Sequence, residues 1–318
     1  MQDTRGVRCE PEQVIITTGT QQALALVVKV VLDPGDVVWT ENPCFYGLHV
    51  LLRTTRARVV PVDVDAEGLV VEDGLAKAAD AKLAFVSPSH QYPLGATMSL
   101  SRRIQLLRWA AAVGAWIVED DYDSEFRYSG YPLQALQGLD RSGCVIYTGT
   151  FSKSLFPALR LGYLVVPPML VDSVTAAQAF TDRGAGIVSQ IALHAFIEGG
   201  HFERHIRAMR LLYAKRQQAL LGALEEHLGD ILTVDSTPAG LHLIGWLPSD
   251  VRDTDASAAL RDAGIEAPSV SSLALGPLGR GGLVLGYTTP EDDLRAAARR
   301  MRDVLDGTFP ALARRSES

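Results

Sequence analysis

The sequence predicts an α/β fold, with a mostly parallel sheet covered by helices on both faces and a smaller C-terminal α+β lobe. Three observations carry this. Short β-branched runs in the first half are apolar throughout rather than alternating, the signature of strands covered on both sides. Helical patterns separate these runs, as in βαβ units. After residue 168 the pattern changes to long helical periods with a few short strands. A length of 318 residues fits two lobes. We place a large α/β domain at 1–200 and a small α+β domain at 201–318, joined by a long helix.

The first strand is read at 14–17 and is followed by a helix at 21–32. Asp33-Pro34-Gly35-Asp36 makes a turn before a strand at 37–40. Further strands are read at 58–64 and 83–87. A helix at 102–113 leads into a strand at 115–119. Strands at 144–148 and 161–166 complete the large sheet. Helical periods at 171–180, 188–198 and 202–227 then lead to strands at 232–235 and 241–246. A helix at 256–263, a strand at 283–286 and a helix at 290–305 follow.

Composition excludes several classes. Hydrophobic residues make up 47% and charged residues 21%, which excludes a disordered chain. No apolar run approaches the roughly 18 residues of a membrane span, so no membrane partner is expected. The start, MQDTRGVRCEPEQ, lacks the apolar stretch of a signal peptide. The isolated cysteines Cys9, Cys44 and Cys144 argue against a disulfide framework or zinc cluster and fit a cytoplasmic location. His201 and His205 stand one helical turn apart but lack a third ligand, so no metal is expected. A net charge of −7 argues against nucleic-acid binding by this chain alone.

In a parallel sheet, ligands sit beyond the carboxyl ends of the strands. Three motifs occupy such ends. Thr18-Gly19-Thr20-Gln21 joins a strand to a helix N-terminus, where free N–H groups and the positive dipole end favour an anion; the same pattern also reads as an ordinary N-cap. Glu119-Asp120-Asp121-Tyr122-Asp123 follows a buried strand, where a carboxylate needs a cation or several donors; solvated loop acids are the rival reading. Tyr147-Thr148-Gly149-Thr150-Phe151-Ser152-Lys153-Ser154 brings a lysine out among hydroxyls, with Arg160 seven residues on. A partly desolvated lysine attacks carbonyls. A Walker A phosphate loop would need Gly where Tyr147 and Ser152 stand. An anion cup, a fixed carboxylate, a Schiff-base lysine and a cation are together the parts a pyridoxal 5′-phosphate site requires.

The sequence resembles the aminotransferase-like domain of the MocR/GabR group, within the fold-type-I pyridoxal-phosphate-dependent aminotransferases. The resemblance rests on TRGVRCEPEQVIITTGTQQAL (4–24), SPSHQYPLGATMSLSRRIQLLRWA (87–110), VEDDYDSEFRY (118–128) and YTGTFSKSLFPALRLGYLVVP (147–167). It implies a role for each matching residue. Lys153 forms the Schiff base. Asp120 pairs with the pyridine nitrogen and Tyr122 bonds the ring hydroxyl. Gly19, Thr20 and Gln21, with Thr150, Ser152 and Arg160, hold the phosphate. Phe45 stacks on the ring. Arg280 matches the arginine for a substrate carboxylate, and His90 lies near the expected pocket as a contact to cofactor or substrate.

Two departures stand out. Tyr92 occupies the place where many aminotransferases carry a ring-contacting Asn, a variant that fits the MocR/GabR group. Gly47 stands where GabR-like proteins have a second carboxylate-binding arginine, which argues against a γ-amino acid ligand. The group's winged-helix DNA-binding domain is expected to be missing ahead of residue 1. The resemblance implies transamination of a small amino acid or oxo acid by a homodimer. The alternatives it leaves open are an amino-acid-sensing domain of a transcriptional regulator, and another pyridoxal-phosphate reaction such as a lyase, decarboxylase or racemase.

Overall fold

The computed structural model describes residues 5–130 and 133–313, which divide into two compact units. The first comprises Met1–Tyr92, Ala96–Glu125 and Tyr131–Ile206. The second comprises Pro93–Gly95, Phe126–Gly130 and Arg207–Ser318, so two short segments from the first half of the chain join it.

The first unit is built on eight strands: β1 (Val14–Thr17), β2 (Val37–Asn42), β3 (Arg58–Asp65), β4 (Gly68–Leu69), β5 (Leu83–Val86), β6 (Trp116–Asp121), β7 (Val145–Thr150) and β8 (Gly162–Val165). Their order is β1-β8-β7-β6-β5-β2-β3-β4. The central pairs from β3 to β7 are parallel. β8 runs antiparallel to both β7 and β1. The reason is chain length: eleven residues separate β7 from β8, too few for a helical crossover back to a parallel start.

The helices of this unit are α1 (Thr20–Val31), α2 (Tyr46–Thr54), α3 (Val71–Ala78), α4 (Leu100–Val113), α5 (Leu136–Leu139), α6 (Phe151–Ser154), α7 (Val171–Thr181) and α8 (Ile187–Glu198). Both faces of each central strand are apolar, and alternate residues feed different cores. Val38, Phe85, Val118 and Ile146 pack against α1 residues such as Leu24 and Val27. Trp39, Ala84, Ile117 and Val145 pack on the other face with Leu106 and Trp109 of α4. Trp39 and Trp109 stack at 3.9 Å, and each indole N–H finds a carbonyl, of Ala78 and Ala79 respectively, at 2.9 Å. Each such large side chain contributes roughly 1.5–3 kcal/mol of burial. This two-sided burial leaves the strand ends as the polar edge of the sheet.

Helix α9 (His201–Leu228) begins in the first unit and continues into the second. There, β9 (Thr233–Val234), β10 (His242–Trp246) and β11 (Gly282–Gly286) form an antiparallel sheet in the order β11-β10-β9. It packs with α10 (Asp253–Asp262) and α11 (Glu291–Thr308) around Leu224, Leu243, Leu260, Leu283, Leu294 and Met301. The short helices α2 and α3 had no counterpart in the sequence reading. Each spans only two or three turns, and α2 starts on Tyr46-Gly47, a poor helix opening by propensity.

Candidate active site

Asp120 lies one residue from the end of β6 and pairs in register with Thr148 of β7. Its Oδ1 is buried and has no hydrogen-bond partner among the described residues. Burial, with the charges of Asp121 and Asp123, pushes its carboxyl up to about 7, while the Lys153 ammonium pulls the other way. Asp120 and Lys153 therefore lie within one another's field. Lys153 sits on α6, a single turn capped by Thr150, whose Oγ1 accepts the Ser152 N–H at 3.2 Å. That leaves the Thr150 hydroxyl proton and the exposed Lys153 amine for a ligand.

The anion-binding turn meets the same strand ends. Gly162 is in register with Thr150 on one side and Thr17 on the other. A Cβ at Gly162 would lie 3.0 Å from the Gly19 Cα and 2.9 Å from the Gly149 carbonyl oxygen. Two glycine backbones touch here, and no side chain fits. Gly19 has φ +114°, a left-handed value, and precedes α1. The first intrahelical bond of α1 runs from Ala23 N–H to Gly19 C=O at 3.1 Å, so the N–H groups of residues 20–22 lack helical partners. Arg160, also in the left-handed region, is exposed and makes no side-chain hydrogen bond among the described residues.

The Gln21 side-chain amide donates to the Gly47 carbonyl at 3.0 Å, and its backbone N–H is left for the turn. This bond joins the turn to the Phe45 loop, where Phe45 is 40% exposed. A Cβ at Gly47 would come within 2.4 Å of both the Phe45 ring and the Gln21 amide oxygen, so any side chain there would displace them.

Behind the strand ends lies a layer of acids that the sequence reading did not resolve. Burial pushes Glu41 up to about 8, although Ser87 N–H at 3.1 Å and the Gln91 amide at 3.2 Å favour its charge. Gln91 also donates to the Pro43 carbonyl at 2.8 Å, tying this layer to the Phe45 loop. Glu119 accepts the Leu136 and Gln137 N–H groups at 2.8 Å, at the start of α5, and burial still raises it to about 7. Asp121 is matched by Arg5 at 2.8 Å and by the Tyr147 hydroxyl at 2.5 Å. Arg5 donates as well to Ser89 Oγ and the Leu133 carbonyl. His90 is 2% exposed, and its Nδ1 faces Asp123 Oδ2 at 2.9 Å and the Tyr122 hydroxyl at 3.0 Å. Arg280 belongs to the second unit. There it donates to the Leu247 carbonyl and to Thr233 Oγ1, each at 3.2 Å, and sits over the Trp246 ring.

The family described as aminotransferase class I and II matches residues 1–300. The chain belongs to the class I and II aminotransferases. Among curated relatives of this family, the probable rhizopine catabolism regulatory protein MocR of Rhizobium meliloti is 41% identical over 284 residues, covering 89% of the chain and 57% of MocR. Aromatic-amino-acid aminotransferase 1 of Thermococcus litoralis is 31% identical over 245 residues, covering 75% of the chain and 59% of that enzyme. The chain thus spans a little over half the length of these two proteins. Among solved aminotransferases, α-aminoadipate aminotransferase LysN of Thermus thermophilus, complexed with N-(5′-phosphopyridoxyl)-L-leucine, superposes with a TM-score of 0.88 at 27% identity, over 95% of the chain and 79% of LysN. Kynurenine aminotransferase of Pyrococcus horikoshii, in complex with PMP, gives 0.86 at 28% identity, over 97% of the chain and 78% of that enzyme. The fold is that of the fold-type-I aminotransferases, with a MocR-like sequence.

The residues present suit this family's cofactor. A buried carboxylate oxygen without a partner suits a protonated ring nitrogen, unpaired helix-end N–H groups with a free guanidinium suit a phosphate, and an exposed amine suits an aldehyde. Among the described residues, no three His, Cys, Asp or Glu cluster as metal ligands, and no helix is long and apolar enough to cross a membrane.

Proposed function

We propose that the chain is a pyridoxal-phosphate-dependent aminotransferase acting on a small amino acid. The observation that carries this reading is the buried, unpartnered oxygen of Asp120 within the field of Lys153. The cofactor is pyridoxal phosphate, which when bound supplies an aldehyde and an electron-withdrawing protonated ring. Lys153 would provide the amine for that aldehyde and, at Nζ, would take the substrate's α-proton as general base and return it as acid. Asp120, ionised opposite the ring nitrogen, keeps the nitrogen protonated. Tyr122 donates to the ring oxygen. Backbone N–H groups at 19–21 hold the phosphate with the Thr150 and Ser152 hydroxyls and Arg160. Phe45 would stack on the ring. The exposed apolar side chains of Phe180, Ile187, Val188 and Ile191 support a homodimer.

The 41% identity to MocR, over 57% of its length, favours a second reading, in which the same site senses an amino acid within a longer regulator. One experiment separates the two. The holo-protein is mixed with a panel of amino acids while visible absorption and oxo-acid release are followed, and a parallel sample is reduced with borohydride and mapped by mass spectrometry. Repeated oxo-acid release supports the enzyme, and a spectral shift without release supports the sensor. Absence of a reduced adduct on Lys153 overturns both.

A further inference from the structure

We infer that His90 and Asp123 are positioning residues that hold Tyr122 as an obligate hydrogen-bond donor toward the bound cofactor. The inference rests on the proposed contact between Tyr122 and the ring oxygen. His90 and Asp123 are each 2% exposed, and they meet through one atom: His90 Nδ1, 2.9 Å from Asp123 Oδ2 and 3.0 Å from the Tyr122 oxygen. An ionised carboxylate has no proton to give, so the proton of the Asp123 contact resides on Nδ1. A protonated Nδ1 cannot accept a second one. The Tyr122 oxygen therefore stands on the accepting side of its contact with His90, and its own O–H proton is directed elsewhere. The opposite arrangement, with Tyr122 donating to a bare Nδ1, would set the lone pair of that nitrogen against a carboxylate oxygen at 2.9 Å.

The surroundings keep that phenol neutral. Burial, with Asp123, Asp120, Tyr92 and Glu41, raises Tyr122 well above the ordinary tyrosine value. The Tyr92 ring meets Tyr122 edge-on at 6.1 Å and limits its rotation. His90, expected from the sequence to contact cofactor or substrate, presents its Nδ1 to Asp123 and Tyr122. The sequence marks Asp123 only as one acid of the 119–123 motif, with no role of its own.

The test is a pH titration of the holo-protein, following the midpoint at which the visible band of the Lys153-bound cofactor converts. A donor on the ring oxygen stabilises its anionic form, so losing that donor raises the midpoint. One charge-assisted hydrogen bond corresponds to a rise of about one to two pH units. Tyr122→Phe and His90→Leu should each raise the midpoint by that amount, the double variant should go no further, and His90→Asn, whose amide can occupy the place of Nδ1–H, should restore it. Asp123→Asn preserves volume and makes the same test if His90→Leu does not fold; a rise of at least half a unit is expected. If Tyr122→Phe moves the midpoint while His90→Leu and Asp123→Asn leave it at the wild-type value, the positioning pair is refuted and the role of Tyr122 survives. If Tyr122→Phe leaves it unmoved, the ring-oxygen contact is refuted, and the pair with it.

Discussion

Replacing Asp120 with Asn removes a charge while keeping the shape of the side chain. In the cofactor-free chain, burial and the neighbouring Asp121 and Asp123 raise this carboxyl from 3.8 to about 7. The folded state thus holds the proton more tightly than the unfolded state. Stability falls as pH rises between those two values, by 1.36 kcal/mol per pH unit for one proton. Expressed in full, the shift costs ~4 kcal/mol above pH 7, and solvent contact at the strand end brings the expected range to ~2–4 kcal/mol. Below the unfolded value the cost disappears. Urea unfolding of the cofactor-free proteins is the assay. Asp120→Asn should be more stable than wild type by ~2–4 kcal/mol at pH 8, with the gap at roughly half or less at pH 5. Saturating pyridoxal phosphate should reverse the order, since only the carboxylate can pair with a positively charged ring. Equal stabilities at pH 8, or a gap independent of pH, would show that the Asp120 charge is already compensated without a cofactor, and the reasoning would fail.

Other variants address the scaffold and the phosphate. Arg5→Met leaves Asp121 buried without its ion partner and should cost ~3–5 kcal/mol in chemical denaturation; a loss below ~1 kcal/mol would contradict the pairing. Gly149→Ala sets a methyl within 2.4 Å of the Tyr163 ring and should cost ~1–3 kcal/mol, read as a lowered unfolding midpoint. Arg160→Gln should weaken binding of pyridoxal phosphate ~10–100-fold by fluorescence titration and leave binding of phosphate-free pyridoxal unchanged. Equal weakening for the two compounds would place Arg160 away from the phosphate.

Elements and strand ends are local properties, and they were readable directly. The apolar runs around Val38, Phe85, Val118 and Ile146 report burial on two faces, and Gly19, Asp120 and Lys153 follow the ends of such runs. Chemistry at a strand end is constrained by residues adjacent in the chain, so a motif of five to eight residues carries it. The family resemblance added roles that no short motif could supply. The antiparallel course of β8 escaped a pattern reading because strand direction depends on the length of the connection, not on apolar periodicity.

Chain order alone marked the anion turn, the carboxylate, the lysine and the two-sided sheet, because backbone geometry repeats over a few residues. It was silent on how the acids behind them are paired. Arg5 meets Asp121 across 116 positions, and His90 meets Asp123 across 33. Nothing near Arg5, Glu41 or Asp123 in the chain reports the charge each one faces. Those pairings exist only once the strands stand side by side, since the low polarity of the packed interior is what makes every buried charge depend on a particular distant partner.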